Sequence, residues 1–299
     1  MNTREQGFLL LGSSLGNADR HPLTVAQLRD LAMRVQTMAP PTEDRELIRS
    51  DFLALGYNHE MSSKILNLLE QNDELSYYLQ KANRVGCVPI TRVTAGYPTA
   101  LRRLQLDAPA TLWAKGDVSI LSRPMVSLVG SRDVHPENGR FAAEVGRQAA
   151  RQGYVLVSGN ARGSDRTAQD SCLEAGGYVV IVAADSICDK RVNDHILYLS
   201  EDSFDMPFSA QRALSRNRVI HCLGSRVFVA QCEYRSGGTW SGTERNLSCN
   251  WSPVFCYDDD SAACHNLVQM GAEKINVDML ADISCLDSGQ EMLPDWDEF

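Results

Sequence analysis

The sequence predicts an α/β fold in which a small helical domain precedes a doubly wound, mostly parallel β-sheet. The length of 299 residues is enough for about two domains of roughly 150 residues each. Apolar residues recur at helical spacing in residues 23–83. From Pro124 onward, short valine-rich runs alternate with helical segments. That alternation is typical of a parallel sheet covered by helices on both faces.

Residues 1–83 are predicted to form the helical domain. In Val25–Val35, apolar residues recur every three or four positions, as on the buried face of an amphipathic helix. The prolines in Ala39–Thr42 are expected to end that helix. The same period predicts three further helices, at Glu46–Leu55, Ser62–Gln71 and Leu75–Arg84.

Residues 84–283 are predicted to form the α/β domain, and the acidic residues 284–299 a tail. Apolar runs of four to six residues have the composition of strands buried on both faces. These predicted strands are Met125–Val129, Tyr154–Val157, Tyr178–Ala183, Val227–Gln231 and Pro253–Cys256. The predicted helices are Gly139–Gln152, Asp165–Ala175, Ser209–Leu223, Gly242–Asn250 and Ser261–Met270.

Composition and charge exclude several classes of protein. The net charge of −9 argues against a protein that coats nucleic acid through bulk positive charge. No apolar stretch reaches the roughly 18 residues of a membrane span, and Phe8–Leu11 is too short for a signal peptide. The nine cysteines include no C-x-x-C pair, and His135, His195, His221 and His265 lack metal-ligand spacing. We therefore expect a cytoplasmic protein with reduced cysteines, no membrane partner, no metal and no cofactor.

The first candidate loop, Val129–Asp133, follows a predicted strand. Ligands of parallel sheets bind outside the carboxyl ends of the strands, so the loops there are the places to search. Gly130 permits close backbone approach, Ser131 offers a hydroxyl and Arg132 offers a guanidinium suited to phosphate. A tight turn with a solvated arginine is the simpler alternative for this loop.

The second candidate loop runs from Ser158 to Asp165. Gly159 and Gly163 flank Arg162, and Ser164 or Asp165 is expected to cap the next helix. Glycines and an arginine at a helix N-terminus form a plausible anion site. The loop has neither the Gly-Lys-Ser/Thr ending of a Walker A loop nor the G-x-G-x-x-G dinucleotide motif. An ordinary capped turn is the alternative.

The third candidate region combines two segments. Arg216, Asn217 and Arg218 lie in a predicted helix, and Gly237–Thr239 lies between a predicted strand and a predicted helix. Successive backbone amides in a segment of this kind can surround a phosphate. For Arg216 and Arg218, a solvated helix face is the alternative.

In this order and on these elements, the motifs resemble the DNA-processing proteins called DprA or Smf, a family with a Rossmann-like fold. The resemblance covers about residues 84–280 and depends on Val129–Arg132, Ser158–Asp165 and Arg216–Ile220. The helix stop Glu174–Gly177 and the segment Tyr97–Asp117 are also similar to the family.

Two departures from the family pattern concern the predicted site. Asn160 and Ser164 replace apolar residues of the second loop, which makes it more polar. Gly237–Trp240 replaces an arginine-serine-glycine-serine segment of many members. Gly-Gly-Thr-Trp is more similar to the nucleotide-binding members of the wider group to which the family belongs.

The resemblance implies a homodimer that binds and protects single-stranded DNA in DNA uptake, transformation and recombination. It also implies that the protein helps to load a RecA-type recombinase and requires no catalytic residue. The residues that the resemblance and the loops together assign to DNA and phosphate binding are Gly130, Ser131, Arg132, Ser158, Gly159, Arg162, Gly163, Asp165, Arg216, Asn217, Arg218, Gly237, Gly238 and Thr239.

A nucleotide-binding sensor or N-glycoside hydrolase on the same fold is the alternative function. Glu244 would be its catalytic acid and Arg162 its phosphate anchor. A scaffold that acts through the helical domain, and binds neither ligand, is a third hypothesis. Trp240 and Trp251 could stack on bases, but we expect both to pack in the core.

Overall fold

Five helices precede the sheet in the computed structural model, which describes residues 1–37 and 47–290. They are α1 (Thr3–Gly12), α2 (Val25–Gln36), α3 (Arg49–Ala54), α4 (His59–Leu69) and α5 (Asn72–Arg84). The four helices expected from apolar periodicity are all present. The predicted break Ala39–Thr42 and the first residue of Glu46–Leu55 lie outside the described residues.

Helix α1 was not predicted, and its start is fixed by a capping box. The Asn2 side chain accepts a hydrogen bond from the Glu5 amide at 2.9 Å, and the Glu5 carboxylate accepts one from the Asn2 amide at 2.9 Å. This exchange satisfies two amide groups that a helix start otherwise leaves without partners.

A single nine-stranded sheet forms the centre of the molecule. Its strands are β1 (Cys87–Thr91), β2 (Thr111–Lys115), β3 (Met125–Val129), β4 (Val155–Ser158), β5 (Tyr178–Ala183), β6 (Ile196–Glu201), β7 (Val227–Val229), β8 (Val254–Tyr257) and β9 (Glu273–Ile275). Their order across the sheet is β1-β2-β6-β5-β4-β3-β7-β8-β9. Strand β2 is antiparallel to both of its neighbours. All other pairs are parallel, which confirms the predicted α/β class.

Four of these strands were not among the predicted ones, and their sequences explain why. Strand β1 contains Pro89 and lies at one edge, where the missing amide hydrogen is tolerated. Strand β9, at the other edge, has only three residues, and two of them are charged. The sequence of β6 ends in Ser200 and Glu201, and β2 contains Trp113 and Lys115, so neither resembles the valine-rich central strands.

Six helices follow within the sheet domain: α6 (Pro136–Arg151), α7 (Ser164–Glu174), α8 (Ala210–Ser215), α9 (Asn217–Leu223), α10 (Gly237–Cys249) and α11 (Ala262–Gln269). Strand β3 shows how they divide between the two faces. Val126 and Leu128 belong to the core beneath α6 and α7, whereas Met125 and Val129 belong to the core beneath α9 and α10. Alternate residues of a strand point to opposite faces, so a central strand is apolar throughout.

Tryptophan burial and helix length bear on two further expectations. Trp240 and Trp251 are 5% and 3% exposed and belong to the core, as expected. Within residues 1–37 and 47–290, no helix is both long and apolar enough to cross a membrane.

An aromatic cluster joins the helical region to the sheet. Tyr78 of α5 packs edge-on against Trp113 of β2, with ring centroids 5.1 Å apart, and Phe204 lies 4.9 Å from Trp113. The Tyr78 hydroxyl lies 2.8 Å from the Ser203 hydroxyl and donates to the Asp205 carboxylate at 2.7 Å. Helices α1 and α5 therefore share one hydrophobic core with the sheet. A domain boundary at residue 84 stays a prediction.

The chain reverses its direction across the sheet at β3. From β3 it proceeds through β4 and β5 to β6, and it then crosses back to place β7 on the other side of β3. Parallel sheets bind ligands at such a switch point, outside the carboxyl ends of the strands. The candidate loops follow β3, β4 and β7, the three strands that meet there.

We predict that Trp113→Ala lowers the free energy of unfolding by about 3–5 kcal/mol, because it removes a fully buried aromatic ring between the helical region and the sheet. Urea unfolding followed by circular dichroism measures the loss. Tyr77→Ala is the control, since that ring on α5 is 69% exposed and its loss should change stability by about 0.5 kcal/mol or less. Equal effects of the two substitutions would contradict the aromatic junction.

Candidate functional site

Three strand-end loops and helix α8 enclose a cleft of about 500 Å³. Its size is in the range of small-ligand pockets. Among the predicted site residues, those that line it are Gly130, Ser131, Arg132, Asp165, Arg216, Asn217, Gly237, Gly238 and Thr239. The structure thus brings together residues separated by more than a hundred positions in the chain.

The first and second loops are packed too tightly for side chains at two glycines. A Cβ at Gly130 would lie 2.4 Å from the Ser164 side chain. Gly163 has a φ of +79°, and a Cβ there would lie 2.4 Å from the Arg132 carbonyl oxygen. The Ser164 amide donates to the Ser131 carbonyl at 3.1 Å. Glycine is therefore required at both positions to hold the start of α7 against the first loop.

Asp165 holds the second loop, but not by capping, so that part of the prediction is wrong. Helix α7 begins at Ser164, and Asp165 lies in its first turn. Its carboxylate accepts hydrogen bonds from the Gly159 and Ala161 amides, each at 3.1 Å. Burial raises the pKa of Asp165 to about 6, although the Arg216 charge and the two amide hydrogen bonds oppose the rise. The carboxylate therefore fixes the bend of the loop from within.

Arg216 lies beneath the cleft, and its side chain is held by the second loop. Residue 216 is 9% exposed. One terminal nitrogen donates to the Gly159 carbonyl at 3.1 Å, and the other donates to the Asn217 side-chain oxygen at 2.6 Å. A Cβ at Gly159 would lie 2.0 Å from this guanidinium. The glycine is therefore required for the close approach of the arginine.

The helix predicted over Ser209–Leu223 is two helices, and the junction between them is Arg216. The next residue, Asn217, starts α9, and its side-chain Nδ2 donates a hydrogen bond to the Gly238 carbonyl at 3.0 Å. Asn217 thus connects the buried guanidinium to the start of α10.

Helix α10 begins earlier than predicted, at Gly237 instead of Gly242. The Gly-Gly-Thr segment is therefore the first turn of a helix and not a free loop. The Thr239 hydroxyl donates to the Gly130 carbonyl at 3.0 Å, which ties this turn to the first loop. The first amides of a helix lack partners within it and carry partial positive charge.

The arginines of the first and second loops are both exposed, but of the two only Arg132 is among the residues that line the cleft. Arg132 is exposed on its rim. The Arg162 side chain is 71% exposed and lies 2.8 Å from the carboxylate of Asp133, whose side chain is 85% exposed. An ion pair with this exposure is weak. Both guanidinium groups are accessible to an anionic ligand.

Two residues predicted to contact the ligand, Ser158 and Arg218, do not line the cleft. Ser158 is fully buried, and its hydroxyl accepts a hydrogen bond from Gln169. Arg218 forms a bidentate ion pair with Glu201, and its Nε donates a hydrogen bond to the Asp107 carbonyl at 2.7 Å. Both side chains have structural partners, and neither lines the cleft.

Sequence reasoning missed an apolar wall of the cleft. Phe208 is 58% exposed and Leu214 is 49% exposed, and both line it. Neither belongs to a glycine-bearing motif, so no pattern singled them out. The exposure of an aromatic ring in a cleft is a signal that can be recognised only once the fold is known.

We predict that Asp165→Asn changes the pH dependence of stability. The native pKa of about 6 lies above the unfolded value of about 3.9, so the native state binds more protons between these values. The contribution of Asp165 to the free energy of unfolding is then largest below pH 4 and falls as the pH rises to 6. Relative to the variant, the wild type therefore loses about 2–3 kcal/mol over this range. Urea unfolding at pH 4 and pH 7 measures the difference, and parallel pH profiles would contradict it.

Comparison with known proteins gives consistent matches. DNA processing protein DprA of Streptococcus pneumoniae is 28% identical over 215 residues, which are 67% of this chain and 71% of that protein. DprA of Bacillus subtilis is 27% identical over 206 residues, which are 64% of this chain and 68% of that protein.

Solved structures agree with the sequence matches. The crystal structure of DprA from Streptococcus pneumoniae has a TM-score of 0.66 at 27% identity, over 83% of this chain and 88% of that one. DprA from Helicobacter pylori has a TM-score of 0.56 at 24% identity, over 65% of this chain and 94% of that one, and shares the fold. The family model described as DNA recombination-mediator protein A matches residues 89–284. Since that match covers most of the chain, the chain belongs to the DNA recombination-mediator protein A family.

Proposed function

We propose that the protein binds single-stranded DNA at the cleft and acts as a recombination mediator without catalysing a reaction. The observation that carries this proposal is the convergence of the three strand-end loops on one cleft, with Arg132 exposed in its lining and Arg162 exposed in the second loop. Family membership supports the DNA-processing role. The Helicobacter pylori relative is described by its single-stranded DNA binding mode, which supports the same type of ligand here.

The chemistry of the cleft suits the phosphates of a single strand. Arg132 and Arg162 offer charge-assisted hydrogen bonds to phosphate oxygens. The first turn of α10 offers backbone amides at the positive end of a helix. Phe208 offers an exposed ring on which a base can stack. Contacts to phosphates and to the face of a base carry little sequence information, so binding should tolerate most sequences.

The enzymatic alternative has less support. Glu244, its candidate acid, is exposed on α10 and does not line the cleft. Asp165 does line the cleft, but its carboxylate accepts hydrogen bonds from the Gly159 and Ala161 amides, which shape the second loop. Release of base from a nucleoside monophosphate by the purified protein would reinstate this alternative.

A cytoplasmic homodimer that loads a RecA-type recombinase is the remaining part of the proposal, and the family supports it. Light scattering coupled to size-exclusion chromatography tests the dimer. Recombinase loading is tested by strand exchange on DNA coated with a single-strand-binding protein, where this protein should shorten the lag.

We predict that Arg132→Ala and Arg162→Ala each weaken binding to a labelled oligothymidine by about five- to tenfold, because each removes a charge-assisted phosphate contact. Fluorescence anisotropy measures the affinity. The matched control is Arg151→Ala, an exposed arginine at the end of α6, just before the amino end of β4 and therefore away from the strand-end loops. All three variants should keep the wild-type unfolding free energy within about 0.5 kcal/mol. Equal weakening by all three would place binding outside the cleft.

The salt dependence of binding gives a second test. Three to five phosphate contacts predict a slope of log affinity against log salt of about −2 to −3.5. Arg132→Ala should make the slope shallower by about 0.7, since one contact is lost. An affinity that does not change between low and moderate salt would contradict phosphate binding.

A further inference from the structure

Helix α8 forms part of the cleft wall, yet none of its six residues is buried. A helix of this length is not stable alone, and helices in proteins gain most of their stability by burying an apolar face. The apolar side chains of this wall, Phe208 directly before the helix cap and Leu214 within the helix, are both exposed. Hydrophobic burial therefore contributes little to the position of the wall, and its polar contacts decide where it lies.

The side chain of Arg212, in α8, joins the connection between β6 and α8 to the sheet. One terminal nitrogen donates to the Met206 carbonyl at 2.8 Å and to the Pro207 carbonyl at 3.0 Å, and it lies 3.2 Å from the Ala184 carbonyl oxygen. The other terminal nitrogen donates to the Ser200 hydroxyl at 2.8 Å. Ala184 directly follows β5, and Ser200 belongs to β6. The guanidinium therefore fixes the end of the connection against the carboxyl ends of two strands.

The main chain of Arg212 fixes the other side of Phe208. Ser209 is the N-cap of α8, and its hydroxyl accepts a hydrogen bond from the Arg212 amide at 3.0 Å. Phe208 thus lies between Pro207, which is held by the Arg212 side chain, and Ser209, which is held by the Arg212 amide. Pro207 restricts the backbone further, because its ring fixes φ at about −65°. One residue therefore constrains the backbone on both sides of the exposed ring.

Arg212 itself is not placed to contact a ligand in the cleft. It is half-buried, and it is not among the residues that line the cleft, whereas Phe208 is 58% exposed and does line it. A loop that must become ordered when a ligand binds lowers the affinity, and a loop that is already ordered avoids this cost. The contacts of Arg212 therefore affect a ligand through the position of the Phe208 ring.

From these contacts we propose that Arg212 is a positioning residue, which holds Phe208 in the cleft wall so that its ring stacks on a base of the bound strand. The inference rests on the proposed DNA-binding function and adds the residue on which the stacking contact depends. Stacking involves the face of a base and not its phosphate. The effect of Arg212 is therefore separable from the phosphate contacts of Arg132 and Arg162.

The test compares an oligothymidine with an abasic oligodeoxynucleotide of the same length, because the two carry the same phosphates and differ only in their bases. We expect the wild type to bind the oligothymidine about tenfold more tightly, the ratio that stacking of one base on an aromatic ring supplies. Phe208→Ala should abolish this preference and leave the affinity for the abasic strand unchanged. Fluorescence anisotropy measures both affinities.

Arg212→Met removes the hydrogen-bond donors and retains the aliphatic part of the side chain. We expect it to abolish the base preference as Phe208→Ala does, with the abasic affinity and the salt slope unchanged. In the double variant the two losses should not add, because the ring through which Arg212 acts is already absent. Retention of the preference in Arg212→Met would overturn the proposal. Equal weakening of both oligonucleotides, with a salt slope shallower by about 0.7, would instead assign Arg212 to phosphate and overturn it as well.

Arg226→Met is the matched control for loss of a structural arginine. Arg226 is also half-buried and donates to two carbonyls, those of Ser284 and Leu286, each at 2.9 Å. It directly precedes β7 and therefore lies at the amino end of that strand, away from the cleft. We expect this variant to be less stable than the wild type and to keep the base preference. Loss of the preference in both arginine variants would attribute it to general destabilisation and overturn the positioning role.

Pro207→Gly tests the same step without removing any hydrogen-bond donor, so it remains informative if Arg212→Met does not fold. Glycine loosens the backbone beside Phe208, and we expect the base preference to fall while the abasic affinity stays unchanged. An undiminished preference would show that the ring need not be held, which overturns the proposal.

The wild type itself separates this inference from the proposed function. Equal affinities for the oligothymidine and the abasic strand would overturn the positioning of a stacking ring and leave phosphate binding intact. Failure of both oligonucleotides to bind would overturn the DNA-binding function and this inference together.

Discussion

The burial of one guanidinium, that of Arg216, constrains most of the site. Burying an arginine is costly unless its donors find acceptors, and the terminal nitrogens of Arg216 find them in the Gly159 carbonyl and the Asn217 side chain. The first contact fixes the loop after β4 and excludes a side chain at Gly159. The second orients Asn217, which holds the Gly238 carbonyl at the start of α10. Two walls of the cleft are therefore positioned by one side chain that is hardly exposed.

The same constraint explains how an acidic protein can offer the proposed binding site for an anion. The net charge is −9, yet the cleft combines Arg132 and Arg216 with the positive end of α10. Asp165 lies close enough for the two charges to influence each other's pKa, but burial dominates both shifts. Its carboxylate is occupied by the Gly159 and Ala161 amides. At distances near the Debye length the rest of the protein's charge is screened, so the local arrangement determines which ligand binds.

Several polar side chains near the cleft hold the structure of the site. Asp165 stabilises a loop, Ser158 accepts from Gln169, and Arg218 pairs with Glu201. What remains available to a ligand is backbone, exposed guanidinium groups, the exposed Glu233 carboxylate and one aromatic wall. The backbone amides and guanidinium groups suit the proposed phosphate contacts, and such contacts do not require a particular base.

The sequence by itself determined the α/β class, the five central strands and the glycine and arginine motifs, because these depend on local periodicity and on residue types that tolerate few backbone conformations. Only the tertiary structure decided which motif residues meet. Arg216 and Arg218 are two positions apart, but one lies under the cleft and the other pairs with Glu201. The start of α10 at Gly237 likewise depends on contacts with distant segments, and the exposure of Phe208 is known only once the chain has folded. Such contacts leave no periodic signal in the chain, since they join residues that are far apart in sequence and are decided by packing.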